Sequence, residues 1–344
     1  MIGTWYAFSK NLLKTQGERV KVFVCEFISG GGQFGRPDPH LLPEGERMAA
    51  SLADDLAALD GVEVILARDP SLPPLRPAIA ECRPVSAERC RRDWIETASD
   101  CDAAWIVAPE TGDSLAGLVE DFTRAGVRVL GSDAASIRIA GSKLATWRAL
   151  SAAGLPVIPT FPASASFPPS DSGWVAKPDD GAGADDMLIT DDQNALALWL
   201  DDGRRDTHVV QPFIPGRPAS ISTLMEQGRA SVLAVNSQYI FQRGGGVEYR
   251  GGIVGGMEEY RDLVRPLAEM TAQAMPGLWG PVGIDVILTP QGTPALVEIN
   301  PRLTTPWTGL GAALRRNAAR MVLDLAAGHG LTEARPETTV EIVL

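Results

Sequence analysis

The chain has 344 residues, of which 45% are hydrophobic and 22% are charged, and its formal net charge is −12. This composition is typical of a globular protein with two or three cores, and the acidic balance argues against nucleic acid and anionic membranes as partners. The apolar runs are far shorter than the ~20 residues of a membrane span, and residues 1–20 lack a signal peptide's apolar core, which favours a cytoplasmic protein.

Residues 1–135 alternate apolar, strand-like segments with segments of helical periodicity. Strands are predicted at 20–28, 62–67, 103–107 and 127–130, and helices at 44–59, 87–98 and 114–125, after a loose extension over 1–19. This alternation predicts a parallel sheet with helices on both faces. Ligands bind beyond the carboxyl ends of such strands, so the loops at 29–32 and 108–112 are expected near a binding site.

Two α+β regions are predicted to follow, at 136–208 and 209–344. The first has helices at 142–153 and 193–200 and strands at 174–177 and 187–190, which flank a glycine-rich loop. The second has strands at 219–226, 230–237, 281–288 and 295–299 and helices at 260–275 and 312–327. The apolar face of the final helix fits either the core or an interface between two copies, so the sequence is compatible with a monomer and with a homo-oligomer.

The most informative segment is a predicted hairpin over residues 283–302. If Gln291 and Gly292 form a two-residue turn, Asp285 lies opposite Glu298. Asn300 is two residues beyond Glu298 and therefore on the same face. Opposed carboxylates destabilise a bare sheet, whereas a hard divalent cation prefers such oxygen ligands. We therefore predict a metal site at these three residues; the alternative is a solvated polar face of a sheet.

Two lysines stand where a phosphate site would need them. Lys177 ends a predicted strand just before the loop that contains Gly181 and Gly183, and glycines let backbone N–H groups approach an anion. Lys143 opens the helix predicted at 142–153. An ordinary turn with a solvated lysine is the alternative. The strand-like segment at 209–216 could offer backbone groups to an adenine edge, or it could be a plain linker.

In order and spacing, these features resemble the ATP-grasp superfamily over about residues 20–330, most specifically in the Glu-x-Asn-Pro-Arg segment at 298–302. The resemblance implies a fold that combines α/β and α+β parts, with an N-terminal parallel-sheet (pre-ATP-grasp) domain and two α+β lobes that clasp ATP. It implies Mg²⁺ (or Mn²⁺) at Asp285, Glu298 and Asn300. The residues that it places against ATP are Lys143, Lys177, Gly181, Gly183, Gln211, Pro212, Phe213 and Ile214.

Shorter segments at 26–32, 108–110, 236–238 and 249–252 resemble the branch that joins glutamate to an aromatic amine in methanofuran biosynthesis. This implies an ADP-forming ligase for small molecules, with an acyl-phosphate intermediate and tyramine or tyrosine as the acceptor. The alternatives are a ligase for another amino-acid or peptide pair, a carboxylating or ester-forming relative, and a non-catalytic ATP-binding protein.

The same resemblance suggests which residues would meet the substrates. Arg302 would steady the acyl phosphate or the transferring phosphoryl group, and Arg243 and Arg250, beside a glycine-rich and mobile loop, would bind the substrate carboxylate or close over it. A disordered surface loop is the alternative. The residues implied to contact the substrates are Glu26, Ser29, Gly31, Glu110, Gly251 and Gly252.

Overall fold

A computed structural model describes residues 19–33, 35–75, 81–86, 88–181 and 186–344. Gly183 lies outside the described residues, as does the side chain of Arg243, so their predicted roles stay predictions. Within the described ranges, no helix combines the length and the apolar character that crossing a membrane requires.

The N-terminal part is a parallel four-stranded sheet with the strand order β3-β2-β1-β4. Residues 22–25 and 103–107 are fully buried, because helices cover both faces of the sheet. The predicted strand at 127–130 is reduced to one parallel bridge between Val129 and Ala104. The elements are β1 (Val20–Glu26), α1 (Leu42–Ala57), β2 (Val62–Arg68), β3 (Glu81–Pro84), α2 (Cys90–Ser99), β4 (Ala103–Val107) and α3 (Ser114–Arg124).

A small central lobe follows, built on an antiparallel sheet with the order β5-β8-β6-β7. Its three helices begin at side-chain caps: the side chains of Asp133, Ser142 and Asp192 accept hydrogen bonds from backbone N–H groups of the first turns. The elements are α4 (Ala134–Gly141), α5 (Lys143–Ala152), β5 (Phe161–Pro162), β6 (Trp174–Pro178), β7 (Leu188–Thr190), α6 (Gln193–Asp201) and β8 (His208–Pro212).

The C-terminal lobe is an antiparallel six-stranded sheet with the order β13-β12-β9-β10-β11-β14. The predicted boundary at 208/209 falls inside β8, which belongs to the central sheet, and the domain boundaries stay a prediction. The elements are β9 (Arg217–Glu226), β10 (Arg229–Arg243), β11 (Gly246–Val254), α7 (Arg261–Ala274), β12 (Gly280–Leu288), β13 (Pro294–Asn300), α8 (Trp307–Leu314), α9 (Ala318–Ala326) and β14 (Val340–Val343).

The glycine-rich segment that was predicted to be a mobile loop is instead the hairpin of β10 and β11. Gly251 and Gly252 lie inside β11, where strands flank them on both sides. A Cβ at Gly251 would lie 2.0 Å from the carbonyl oxygen of Ile342, and one at Gly252 would lie 2.0 Å from that of Ser237. These glycines therefore permit close strand packing rather than movement.

The predicted final helix is also divided. Arg315 adopts a left-handed conformation with φ of 50°, which ends α8. Asn317 then caps α9 by accepting a hydrogen bond from the backbone N–H of Arg320 at 2.8 Å. One continuous helix over 312–327 is therefore wrong, because a new cap begins inside the amphipathic pattern.

The cores show which parts of the molecule pack together. One large apolar cluster joins the N-terminal sheet to the C-terminal lobe, and Trp105 of β4 packs edge-on against Trp307 of α8 with ring centroids 5.5 Å apart. The sheet of the central lobe and α6 share a separate small core around Trp174 and Leu196, whereas α4 and α5 pack against the C-terminal lobe. Residues of all three parts line one cleft.

Candidate active site

The cleft between the three parts is a cavity of about 560 Å³, a size that accommodates a ligand such as a nucleotide. It brings together most of the side chains that were predicted from the sequence. The predicted residues that line it are Glu26, Lys143, Lys177, Gly181, Gln211, Pro212, Phe213, Ile214, Asp285, Glu298, Asn300 and Arg302. Six other predicted site residues that the structure describes do not line the cavity: Ser29, Gly31, Glu110, Arg250, Gly251 and Gly252.

The predicted metal hairpin is formed by β12 and β13, and Asp285 pairs with Glu298 as expected. The side-chain amide of Asn300 donates to Asp285 Oδ2 at 3.1 Å, and that of Gln238 donates to Oδ1 at 2.9 Å. Burial, and then the neighbouring charge of Glu298, raise the pKa of Asp285. Two carboxylates and an amide thus converge in a place where their negative charges repel each other.

The pairing is right although the predicted two-residue turn is wrong. The turn is longer, since the backbone N–H of Thr289 donates to the carbonyl of Thr293 at 3.2 Å. Asp285 pairs with Glu298, whereas its neighbour Val286 pairs with Leu296, so the register shifts by one residue between them. This β-bulge offsets the longer turn and restores the predicted register at the acidic end.

The oxygen-rich hairpin fits a hard divalent cation. Among the described residues, no group of three or more His, Cys, Asp or Glu forms a closed metal cage. Mg²⁺ is usually held in a different way, by one or two carboxylates and the phosphates of a substrate. Asp285 and Glu298, with the amide of Asn300, offer that kind of half-site facing the cavity.

Two buried lysines face the same cavity from the central lobe. Lys177 of β6 is 5% exposed, and burial lowers its pKa to about 8, with Lys143 as a further cause. Lys143 begins α5, and its Nζ donates to the carbonyl of Gly181 at 2.9 Å. Two ammonium groups are thus brought together although the residues are far apart in the chain, and an anion would stabilise both.

The hinge predicted at 209–216 is β8 and the segment that follows it. The side chain of Gln211 is buried, and its Nε2 donates to Thr160 Oγ1 at 2.8 Å. This amide group therefore makes a hydrogen bond within the protein. Pro212, Phe213 and Ile214 line the cavity beside apolar residues that the sequence analysis missed. These residues are Ile158, Val175, Met187 and Ile189, and they supply a wall for a flat base.

Glu110 and Arg302 form a close ion pair. The Nε of Arg302 lies 3.0 Å from Glu110 Oε1, and its Nη2 donates to Oε2 at 3.2 Å. Glu110 was predicted to contact a substrate, but the structure places its carboxylate against this guanidinium. This ion pair, with its one hydrogen bond, orients Arg302 at the edge of the cavity.

The other predicted substrate residues are divided between the cavity and its surroundings. The Glu26 carboxylate accepts hydrogen bonds from the backbone N–H groups of Ile28 at 3.0 Å and Ser29 at 2.7 Å. Ser29 and Gly31 shape the turn after β1. The exposed Arg250 pairs with Glu248 at 2.9 Å. Three further cavity residues were not assigned a role from the sequence. No short motif marks Glu44 and Thr305, whereas Tyr249 stands in the 249–252 segment, of which only Arg250, Gly251 and Gly252 were given roles.

Comparisons with known proteins agree with this geometry. Residues 62–137 match a family described as a pre ATP-grasp 3 domain, and residues 140–306 match the ATP-grasp domain. The chain is 29% identical to the tyramine–L-glutamate ligase of Methanocaldococcus jannaschii over 80% of this chain and 81% of the relative. It is 27% identical to the enzyme of the same name from Methanocaldococcus fervens, over 80% and 85% of the two chains.

Solved structures share the fold. A protein from Archaeoglobus fulgidus described as a putative ATP-grasp superfamily member aligns with a TM-score of 0.68 and 24% identity, over 92% of this chain and 90% of that one. The L-amino acid ligase of Bacillus licheniformis aligns with a TM-score of 0.64 and 20% identity, over 94% and 79%. At these identities the likeness concerns the fold alone.

A cleft that combines buried lysines, an acidic hairpin and lobes with separate cores defines a nucleotide-dependent enzyme. The two domain matches together cover more than two thirds of the chain. The chain therefore belongs to the ATP-grasp family. Its activity is that of an ADP-forming carboxylate–amine ligase.

Proposed function

We propose that this enzyme joins a carboxyl group of L-glutamate to the primary amine of an aromatic acceptor, tyramine or tyrosine. The observation that carries the proposal is the cavity in which Asp285, Glu298 and Arg302 face two buried lysines. The two Methanocaldococcus relatives named as tyramine–L-glutamate ligases support this choice of substrates. We further propose that the enzyme acts in the cytoplasm, in the biosynthesis of a methanofuran-like one-carbon carrier.

In the first step, a glutamate carboxylate attacks the γ-phosphorus of ATP, which gives an acyl phosphate and ADP. Lys143 and Lys177 bind the phosphate oxygens, and the backbone beside Gly181 follows the phosphate chain. Asp285, Glu298 and Asn300 would hold one or two Mg²⁺ ions, which would offset the charge of the phosphates. The hinge segment from Gln211 to Ile214 binds the adenine, mainly through its backbone.

In the second step, the amine attacks the acyl carbon, the C–N bond forms and inorganic phosphate leaves. The two steps need positioning and charge neutralisation more than covalent help from the protein. Arg302, oriented by Glu110, steadies the acyl phosphate because a guanidinium binds anions in a bidentate manner. The side chain of Arg250 would have to leave Glu248 before it could bind a substrate carboxylate.

The test is ADP release from the purified enzyme with Mg²⁺, ATP and L-glutamate, with tyramine, with tyrosine or without an amine. We expect turnover that depends on an aromatic amine and yields one glutamyl amide for each ADP, as measured by mass spectrometry. Turnover only with another amino acid or peptide would contradict the proposed substrates but support the ligase activity. ATP binding without turnover in any mixture would contradict the proposal.

A further inference from the structure

Part of the cavity wall is formed by the N-terminal sheet, α1 and β11. This part, which we call the acidic wall, consists of Glu26, Glu44, Tyr249 and Thr305. Glu44 lies in the first turn of α1, and Tyr249 lies on β11. Apolar residues adjoin these polar groups on the same cavity surface, among them Leu41, Met48 and Pro306. A wall of this kind suits a ligand with a polar end and an apolar body.

The carboxylates of the acidic wall are held in place. The Thr305 hydroxyl donates a hydrogen bond to Glu44 Oε1. The Tyr249 hydroxyl bonds to Thr305, and burial, followed by the charge of Glu44, raises the pKa of Tyr249. Glu26 is 2% exposed, and a Cβ at Gly45 would lie only 2.8 Å from its carboxylate. The glycine at position 45 therefore leaves the space that Glu26 occupies.

The acidic wall itself contains no lysine or arginine, although Arg302, elsewhere in the cavity lining, acts on its carboxylates. Of the described residues that line the cavity, the cations are Lys143, Lys177 and Arg302. The two lysines belong to the central lobe, and Lys143 donates to the carbonyl of Gly181. Burial raises the pKa of Glu26, and the charge of Arg302 opposes this effect. Arg302 also interacts with the charge of Glu44, but its guanidinium is already paired with Glu110. A positive charge supplied by a ligand would offset the carboxylates that remain.

We infer that Glu44, fixed by Thr305 and backed by Glu26, binds the ammonium group of the acceptor and selects amines that carry no carboxylate beside the nitrogen. This inference rests on the proposed function. Tyramine satisfies the condition, since its ammonium group is carried by an apolar aromatic body. The α-carboxylate of tyrosine would instead lie against two fixed carboxylates, and like charges at close range oppose binding.

The test is Glu44→Gln, which removes the charge and keeps the size of the side chain. We expect the KM for tyramine to rise about tenfold to a hundredfold, the scale for losing a charge-assisted hydrogen bond. The KM values for ATP and glutamate should not change. Glu46→Gln is the matched control, because Glu46 lies on the same helix and contacts Arg68 at 2.5 Å. It should leave the KM for tyramine unchanged.

Two further measurements make the inference refutable even if Glu44→Gln folds poorly. Glu44→Asp keeps the charge and should retain the preference for tyramine over tyrosine, with a smaller rise in KM. The wild type should use tyramine at least about tenfold more efficiently than tyrosine, the same scale as above. Equal use of the two acceptors, or an unchanged KM for tyramine in Glu44→Gln, overturns this inference but not the proposed function. A wild type without amine-dependent turnover overturns the proposed function as well.

Discussion

Replacing Asp285 with Asn or Glu298 with Gln is expected to lower ADP formation by about a hundredfold or more, because each change would remove a charged oxygen ligand of the proposed catalytic cation. The two carboxylates face each other across β12 and β13 and line the cavity with the lysines. Steady-state ADP release, with Mg²⁺ varied over a wide range, measures the effect. The requirement for Mg²⁺ should rise before activity disappears.

The fold should survive these changes. In the metal-free protein the two carboxylates repel each other, so Glu298→Gln should leave the melting temperature unchanged or raise it. Glu269→Gln, on the exposed side of α7, is the control for charge removal and should retain full activity. An unfolded Glu298→Gln variant would show a structural role instead, and full activity in either metal-site variant would refute the metal assignment.

Gly252→Ala is expected to destabilise the protein by about 3 kcal/mol or more, because overpacking against backbone atoms cannot be relieved by a side-chain rotation. The new Cβ would lie 2.0 Å from the carbonyl oxygen of Ser237. The free energy of unfolding, obtained from denaturant titration followed by circular dichroism, checks this directly. Loss of yield in the soluble fraction would be a coarser sign of the same effect.

Gly131→Ala provides the matched comparison. A Cβ at Gly131 meets only Val129 Cγ1 at 3.8 Å, an ordinary van der Waals contact. Its effect on stability should therefore be small. If Gly252→Ala were as stable as Gly131→Ala but had lost activity, the predicted substrate-binding role of Gly252 would hold and the packing explanation would fail.

The alternation of strands and helices could be predicted from the sequence where one physical signal dominated. The apolar runs of β1, β2 and β4 are buried on both faces, and the structure confirms them as neighbours in a parallel sheet. Short elements escaped prediction: β3 ends in Pro84, and β14 has only four residues. Their pairing depends on neighbouring strands rather than on their own composition.

The β10–β11 hairpin shows where composition misleads. Glycines normally indicate flexibility, but here they are required by strands that approach closely on both sides. The sequence alone does not reveal that the backbones of Ser237 and Ile342 approach these glycines and leave no room for a side chain. The site shows the same limit. The proposed metal ligands lie in one motif, whereas Glu44, Tyr249 and Thr305 come from separate segments that only the fold brings together.

The β12–β13 hairpin must keep Asp285 opposite Glu298, and it must also close with a turn whose length normally fixes that alignment. The bulge between the acidic pair and the turn separates these two requirements. A strand register fixes every pair along a hairpin, so a change of one residue in a turn would normally rotate each side chain to the opposite face. Here the offset is absorbed between Asp285 and Val286, before the turn is reached. The loop at 289–293 is therefore free to diverge in length during evolution, provided that the bulge adjusts, while the acidic pair keeps its alignment.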